Sequence, residues 1–131
     1  MSARIVCIED DAEMIELLRL MLSRQGYEVF GAVGGQVGLV EVDRLQPDVV
    51  LLDLMMPGMD GWEVYRRLKD NPATCNIPVI MLTAKAKNSE RIKALREAQV
   101  DDFIAKPFSP NQLVDSIERA LRRRTNGSAP A

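Results

Sequence analysis

The sequence contains no histidine, and it has few cysteines. Without an imidazole there is no Ser-His nucleophile pair, no histidine proton shuttle and no histidine metal ligand. The two cysteines, Cys7 and Cys75, are far apart and form no CxxC pair, so a zinc or redox site is not indicated. Cys7 lies in an apolar segment, and we expect it to pack as a small hydrophobic residue.

Long apolar runs, a strong net charge and a glycine-rich phosphate loop are also missing. No apolar run approaches the roughly 18–20 residues of a membrane span, and the N-terminus does not have the pattern of a signal peptide, so a cytoplasmic location is predicted. Seventeen basic and 19 acidic residues give a net charge of -2, which provides no general attraction to nucleic acid or membranes. Neither GxGxxG nor GxxxxGK occurs, so a nucleotide site is unsupported.

The chain of 131 residues is long enough for one domain with its own core. Short apolar segments alternate with segments of helical periodicity. The predicted strands cover residues 4–8, 27–32, 48–53, 77–84 and 102–106. Five helices are predicted from apolar residues at helical spacing. The first two carry Met14 and Leu18, and Val37, Val40 and Leu45. The last three begin at a start signal: Asp60 before Val64 and Leu68, Ser89 before Ile92, Leu95 and Ala98, and Pro110 before Leu113, Ile117 and Leu121.

Five apolar strands joined by helices predict an α/β fold with a doubly wound parallel sheet covered on both faces. We assign residues 1–124 to this domain and residues 125–131 to a disordered tail or the start of a linker. Ligands of such sheets bind at the carboxyl ends of the strands. That rule directs attention to the polar residues that follow each strand.

Four of the strands end in residues that could handle a phosphoryl group. Glu9 and Asp10 follow the first strand, Asp53 ends the third, Thr83 the fourth and Lys106 the fifth. Carboxylates that share one crevice repel one another unless a proton or a cation is present, and an all-oxygen site suits Mg²⁺ or Mn²⁺. With a lysine and a hydroxyl nearby, the carboxylate of Asp53 could attack phosphorus and form an acyl phosphate.

Each of these residues also has a simpler interpretation. An aspartate at a strand end is commonly a turn former or a helix cap, and an acidic run before a helix favours the positive helix terminus. Thr83 could bond to the backbone, and Lys106 could be a solvated strand end. The coincidence of all four features at one edge of the sheet favours the phosphoryl site.

With these motifs together, the chain resembles the receiver domain of two-component response regulators across residues 4–123. The matching stretches are IEDD (8–11), LLDLMMPGMDGWE (51–63), MLTA (81–84) and DDFIAKPFSP (101–110). The resemblance implies a CheY-like, flavodoxin-like (βα)5 fold with strand order 2-1-3-4-5. It also implies a magnesium-dependent signalling switch rather than an enzyme that turns over a separate substrate.

The resemblance assigns a role to each site residue. Asp53 would be the phosphoacceptor, with Lys106 and Thr83 assisting. Glu9, Asp10, Asp53 and the backbone carbonyl of Met55 would hold Mg²⁺ or Mn²⁺. The family usually has a cis peptide bond before the proline that follows the lysine, so we expect Lys106-Pro107 to be cis.

The resemblance also implies partners and an output. The phosphoryl donor would be a phosphohistidine on a sensor histidine kinase or a phosphotransfer protein, and the lack of histidine fits a receiver. Thr83 would turn toward the phosphoryl group and Phe103 would turn inward, although Phe103 could instead be an ordinary core aromatic. The face of the fourth helix, fifth strand and fifth helix would then meet an output domain or protein, or a second copy. We expect no direct binding of nucleic acid and no membrane contact.

The sequence departs from the family pattern at three positions. Gln99 stands where a glycine usually ends the fourth helix, and Gly38 should weaken the second helix by up to about 1 kcal/mol. Ser116 replaces an arginine that many DNA-binding regulators use in a symmetric dimer, which makes that dimer doubtful here. The nearby charges Arg91, Asp101, Asp102 and Arg119 would ordinarily only solvate the surface.

Two alternatives to the switch remain open. An aspartate-nucleophile phosphatase usually has a second acid two residues after the nucleophile, and that position here is Met55. A receiver-shaped interaction module without phosphorylation would be expected to have lost Asp53, Lys106 or the acidic pair, and all are present.

Overall fold

Five apolar segments form one parallel sheet in the computed structural model, which describes residues 2–83 and 100–126. The strands are β1 (Arg4–Glu9), β2 (Glu28–Val33), β3 (Val49–Asp53), β4 (Val79–Thr83) and β5 (Asp102–Ala105). Their order is β2-β1-β3-β4-β5, and every neighbouring pair is parallel. The expected doubly wound sheet and its strand order are therefore confirmed.

Four helices lie within the described residues: α1 (Ala12–Ser23), α2 (Gly35–Leu45), α3 (Gly61–Asp70) and α4 (Pro110–Asn126). Asp11 caps α1, accepting from the amides of Glu13 at 2.9 Å and Met14 at 3.4 Å. Asp60 caps α3 through the amide of Glu63 at 2.9 Å. These three bonds satisfy amides that a helix start otherwise leaves without partners.

The predictions for residues 84–99 fall outside the described residues. They concern the helix capped by Ser89, together with Arg91 and Gln99. The last predicted helix is α4, and it begins at Pro110 as the sequence indicated. Because α4 ends at Asn126, residues 125 and 126 belong to this helix and not to the predicted tail.

Alternating side chains of the strands divide the core into two layers. Val6, Val50 and Met81 point to the layer that α2 and α3 cover, whereas Ile5, Leu51 and Leu82 point to the layer that α1 and α4 cover. The central strands are buried on both faces, which is why they appear in the sequence as continuous apolar runs. Cys7 is fully buried, as expected, and burial raises the pKa of its thiol to about 12.

The side of helix α2 that packs against the core is not the side that carries Val37 and Val40. Val37 and Val40 are 51% and 63% exposed, whereas Gly35, Gly38 and Val42 are buried. The reason is close packing: a β-carbon on Gly38 would lie 2.6 Å from Cγ2 of Ile8, so only glycine lets this turn of α2 approach β1. Gly38 is therefore a packing residue as well as a weak helix former.

Among residues 2–83 and 100–126, none of the helices has the length and the apolar character needed to cross a bilayer.

We expect Gly38→Ala to destabilise the domain by about 1–2 kcal/mol. Alanine has the better helix propensity by up to about 1 kcal/mol, but overpacking against the buried Ile8 side chain costs about 1–3 kcal/mol. Urea unfolding measures the difference. Val40→Ala, on the exposed side of the same helix, is the control and should change stability by no more than about 0.5 kcal/mol. A Gly38→Ala variant more stable than the parent would show that helix propensity dominates at this position.

Candidate functional site

The carboxyl edge of the sheet gathers the predicted site residues. Glu9 is the last residue of β1, Asp53 the last of β3 and Thr83 the last of β4. Lys106 follows β5, and its amide donates to the carbonyl of Thr83 at 2.7 Å. Parallel pairing therefore brings together residues that are up to 97 positions apart in the chain.

Three carboxylates form a compact acidic cluster at this edge. Glu9, Asp10 and Asp53 each place one oxygen within 4.8 Å of the others. Glu9 and Asp53 are buried, whereas Asp10 is exposed and opens the cluster to water. Hard divalent cations such as Mg²⁺ and Mn²⁺ bind carboxylate oxygens and commonly keep several water ligands. The residues present therefore fit such an ion.

Within residues 2–83 and 100–126, the acidic cluster faces one ammonium, that of Lys106. Counted over these residues, three carboxylates and one ammonium leave two negative formal charges. Burial, together with the neighbouring Asp53, raises the pKa of Glu9 and outweighs the opposing effect of Lys106. Loss of hydration and the nearby Glu9 also raise the pKa of Asp10. Loss of hydration is the larger cause of both shifts, and the neighbouring carboxylates add to it.

Lys106 lies between two of the carboxylates, and it is closer to one of them. Its Nζ atom is 2.9 Å from Oε2 of Glu9 and 3.7 Å from Oδ2 of Asp53. The side chain is 16% exposed, so the ammonium is largely shielded from water. The Lys106-Pro107 peptide bond is cis, which confirms the expectation based on the family resemblance.

The turn after β3 holds the carboxylate of Asp53 in position. The amide of Met55 donates to Oδ1 of Asp53 at 3.1 Å. Gly58 has φ of 82°, which a residue with a side chain rarely adopts. Gly61 starts α3 so close to the strand that a β-carbon would lie 2.6 Å from the carbonyl oxygen of Asp53. The glycines of this loop therefore let it fold back tightly beside the acidic cluster.

Thr83 and Phe103 are both fully buried. Thr83 ends β4 next to Asp53 of β3, whose Cα pairs with that of Leu82. Phe103 pairs with Met81 and belongs to the core layer under α2 and α3. The position of Phe103 is the one that the core interpretation predicts, and its role as a switch stays a prediction, as does the role of the Met55 carbonyl.

A second polar cluster joins β5 to α4, and the sequence did not predict it. Oδ2 of Asp102 accepts from Oγ of Ser116 at 2.6 Å and from Nη2 of Arg119 at 2.9 Å. Oδ1 accepts from the amide of Phe103 at 2.8 Å. The expectation that Asp102 and Arg119 only solvate the surface is therefore wrong. A hint was present in the sequence, because Ser116 and Arg119 are three apart on one helix face.

The bonds to Asp102 are strong enough to change its ionisation. Burial acts to raise the pKa of this carboxyl, but the bonds from Ser116 and Phe103 and the charge of Arg119 together lower it. Nearby, Oδ2 of Asp101 accepts from the amide of Val79 at 2.8 Å. A cleft of about 340 Å³ lies beside the two aspartates and is lined also by Arg119, Arg122 and Arg123. We call Asp102, Ser116 and Arg119 the β5–α4 cluster.

Comparison with known proteins agrees with this geometry. The family model of the response regulator receiver domain matches residues 5–118. The phosphate regulon transcriptional regulatory protein PhoB of Pseudomonas aeruginosa is 43% identical over 128 residues, which are 97% of this chain and 55% of PhoB. The transcriptional regulatory protein ResD of Bacillus subtilis is 40% identical over 127 residues, which are 97% of this chain and 51% of ResD. The chain thus spans about half the length of these relatives.

A solved structure shares the same fold. The response regulator receiver domain protein from Clostridium thermocellum superimposes with a TM-score of 0.85 at 27% identity. The match covers 94% of this chain and 97% of that one.

We expect Ser116→Ala to weaken the domain by about 1 kcal/mol at neutral pH, because it removes a hydrogen bond to a carboxylate. The pKa of Asp102 is lowered in the folded chain, so the stabilisation is present above the pKa of the unfolded chain, near 4, and is lost as the pH falls through the folded value. The stability difference from the parent should therefore shrink below about pH 4.

Urea unfolding at several pH values measures this difference, and ¹³C NMR titration of the Asp102 carboxyl should show a pKa closer to the ordinary one in the variant. Asp115→Asn, an exposed neighbour on α4, is the control. An equal loss of stability at every pH would show that the hydroxyl acts by packing alone.

Proposed function

Because the chain belongs to the response regulator receiver family, we propose that Asp53 accepts a phosphoryl group and that this modification controls an output face of the domain. The observation that supports this proposal best is the position of Asp53. Its buried carboxylate lies with Glu9 and Asp10 in one cluster and 3.7 Å from the ammonium of Lys106. This arrangement supplies a nucleophile and a counter-charge at one point.

Four residues of the chain have separate roles in phosphoryl transfer. A carboxylate oxygen of Asp53 attacks phosphorus, and the bond from phosphorus to the imidazole nitrogen of a phosphohistidine breaks, with the electron pair going to that nitrogen. The amide of Met55 keeps the carboxylate oriented. Lys106 balances charge on the transferring oxygens, and the hydroxyl of Thr83 donates a hydrogen bond to one of them.

Glu9, Asp10 and Asp53, with the backbone carbonyl of Met55, would hold Mg²⁺ or Mn²⁺. When bound, such an ion neutralises negative charge on the phosphoryl oxygens. The exposed side of Asp10 leaves the cluster accessible to solvent water.

Phosphorylation would add about -1.5 to -2 charges to the buried site. Thr83 would then turn toward the new group, and Phe103 would adjust in the core layer that it shares with Met81. Because Lys106 directly follows β5, the change would reach the face formed by β5 and α4. The β5–α4 cluster lies on this face.

We propose that the phosphoryl donor is a sensor histidine kinase or a phosphotransfer protein in the cytoplasm. The switched face would contact an output domain or protein, or a second copy of the chain after phosphorylation. The names of PhoB and ResD describe transcriptional regulation, which makes control of transcription a suitable output to test. The receiver would not itself contact nucleic acid or a membrane.

A small-molecule phosphatase is the second candidate, and the site argues against it. The position two residues after Asp53 is Met55, whose half-exposed thioether cannot protonate a leaving group. A module that no longer accepts phosphate is also disfavoured, because the acidic cluster and Lys106 are intact and close together.

Incubation with Mg²⁺ and acetyl phosphate, followed by intact-mass measurement, tests the proposal. We expect a single phosphoryl adduct on the parent chain and none with Asp53→Asn or with EDTA, because the acceptor or the cation is then missing. Asp60→Asn is the matched control: it keeps a good helix cap and should keep the adduct. An adduct that persists on Asp53→Asn would place the acceptor elsewhere, and steady turnover of p-nitrophenyl phosphate would favour the phosphatase.

A further inference from the structure

The ammonium of Lys106 has a clear preferred partner, and it is not the residue that reacts. Nζ lies 2.9 Å from Oε2 of Glu9, within the range of a charge-assisted hydrogen bond. The distance to Oδ2 of Asp53 is 3.7 Å, which is too long for a hydrogen bond. Lys106 therefore bonds to Glu9 and has only an electrostatic contact with Asp53.

Burial makes this preference matter. The side chain of Glu9 is 3% exposed and that of Lys106 is 16% exposed, so little water screens the pair. The other oxygen of Glu9, Oε1, faces the amide of Asp11 at 3.4 Å. Each oxygen of this one carboxylate thus faces a donor: Oε2 bonds to the lysine, and Oε1 lies at a longer distance from the start of α1.

The same carboxylate belongs to the acidic cluster that fits a divalent ion. An ammonium and a metal ion both need the lone pairs of Glu9, and their positive charges repel each other at this short range. We propose that Glu9 is a positioning residue: it holds Lys106 away from Asp53, and the lysine and a divalent cation compete for it. This inference rests on the proposed function and adds a regulation to that site.

Competition has a reciprocal consequence. If Lys106 weakens the hold of Glu9 on the cation, the cation must weaken the hold of Glu9 on Lys106 by the same factor. The lysine is then free to turn toward Asp53, where charge develops during phosphoryl transfer. The ammonium would reach the acceptor only in the cation-loaded site, so that Lys106 and the cation act together.

The length of Glu9 is part of the inference. An aspartate at this position would keep the negative charge, but its carboxylate would lie farther from Lys106 by about one carbon–carbon bond, about 1.5 Å. From a distance of 2.9 Å, such a change takes the lysine beyond hydrogen-bond range unless the backbone moves. Glu9→Asp therefore separates the reach of the side chain from its charge.

A double-mutant cycle in EDTA tests the Glu9–Lys106 pair without any metal or any activity. The urea midpoint is measured for Lys106→Met in the parent chain and in the Glu9→Gln, Glu9→Asp and Asp53→Asn backgrounds. In the parent chain, Lys106→Met should lower the urea midpoint. We expect this decrease to be smaller by about half or more in both Glu9 variants and to be unchanged in the Asp53→Asn background. If the decrease in midpoint is unchanged in the Glu9 variants, or disappears with Asp53→Asn, then Glu9 is not the partner of Lys106.

Repeating the cycle in saturating Mg²⁺ tests the competition. We expect the coupling between Glu9 and Lys106 to shrink, and calorimetry should show that Lys106→Met binds Mg²⁺ about fivefold or more tightly than the parent. A coupling of equal size in EDTA and in Mg²⁺ would contradict the competition, because a purely structural pair would not respond to the ion.

These results separate the inference from the proposed function. A normal phosphoryl adduct together with an additive cycle in EDTA would overturn the role of Glu9 and leave Asp53 as the acceptor. Coupling in EDTA without any adduct would confirm the Glu9–Lys106 pair and contradict the phosphoacceptor. If Mg²⁺ leaves the midpoint of the parent unchanged, both the competition and the metal part of the proposed function are wrong.

Discussion

The confinement of three carboxylates beside the ammonium of Lys106 is the constraint on which this structure depends. Glu9, Asp10 and Asp53 lie close together, and burial, together with the neighbouring carboxylates, raises the pKa values of Glu9 and Asp10. The apolar sheet keeps the strand ends in place despite the repulsion between these carboxylates, because β1 and β3 are buried on both faces. An unfolded chain would let the charges separate. The repulsion thus becomes an affinity for positive charge, which is the property that a phosphoryl-transfer site needs.

Close packing of backbone allows the site to be this compact. Gly61 brings the start of α3 against the carbonyl of Asp53, and Gly38 brings α2 against Ile8 one residue before Glu9. In both places a side chain would push an element away from the edge of the sheet. The two glycines therefore let α2 and α3 lie close to the strand ends that carry Glu9 and Asp53.

Strand β5 joins the site to the opposite edge of the sheet over a short distance. It has only four residues, with Asp102 at its start and Lys106 directly after its end. The amide of Lys106 bonds to the carbonyl of Thr83, and the side chain of Asp102 bonds to α4. Strand β5 is therefore bonded beside the acidic cluster at one end and to the β5–α4 cluster at the other.

Much of the molecule could be predicted from the sequence because local patterns carry the information. Buried strands appear as apolar runs, helix starts as capping aspartates, and the site as polar residues at strand ends. The strand order came from resemblance to a family, which also assigns roles to Asp53 and Lys106 that stay predictions. The cis bond before Pro107 was expected on the same basis. Spacing along the chain was sufficient for the strands, the helix starts and the residues at the strand ends, whereas the strand order and the cis bond needed the resemblance.

Only the tertiary structure decided which side of α2 faces the core, which carboxylate holds Lys106 and what Asp102 bonds to. The exposure of Val37 and Val40 follows from the fit of Gly38 against a residue of another strand. The choice between Glu9 and Asp53 follows from less than 1 Å of distance between side chains that are far apart in sequence. Hydrophobic periodicity indicates which residues of one element share a face. It does not determine how a helix is rotated against the sheet or which side chains meet across strands, because packing between distant segments fixes both.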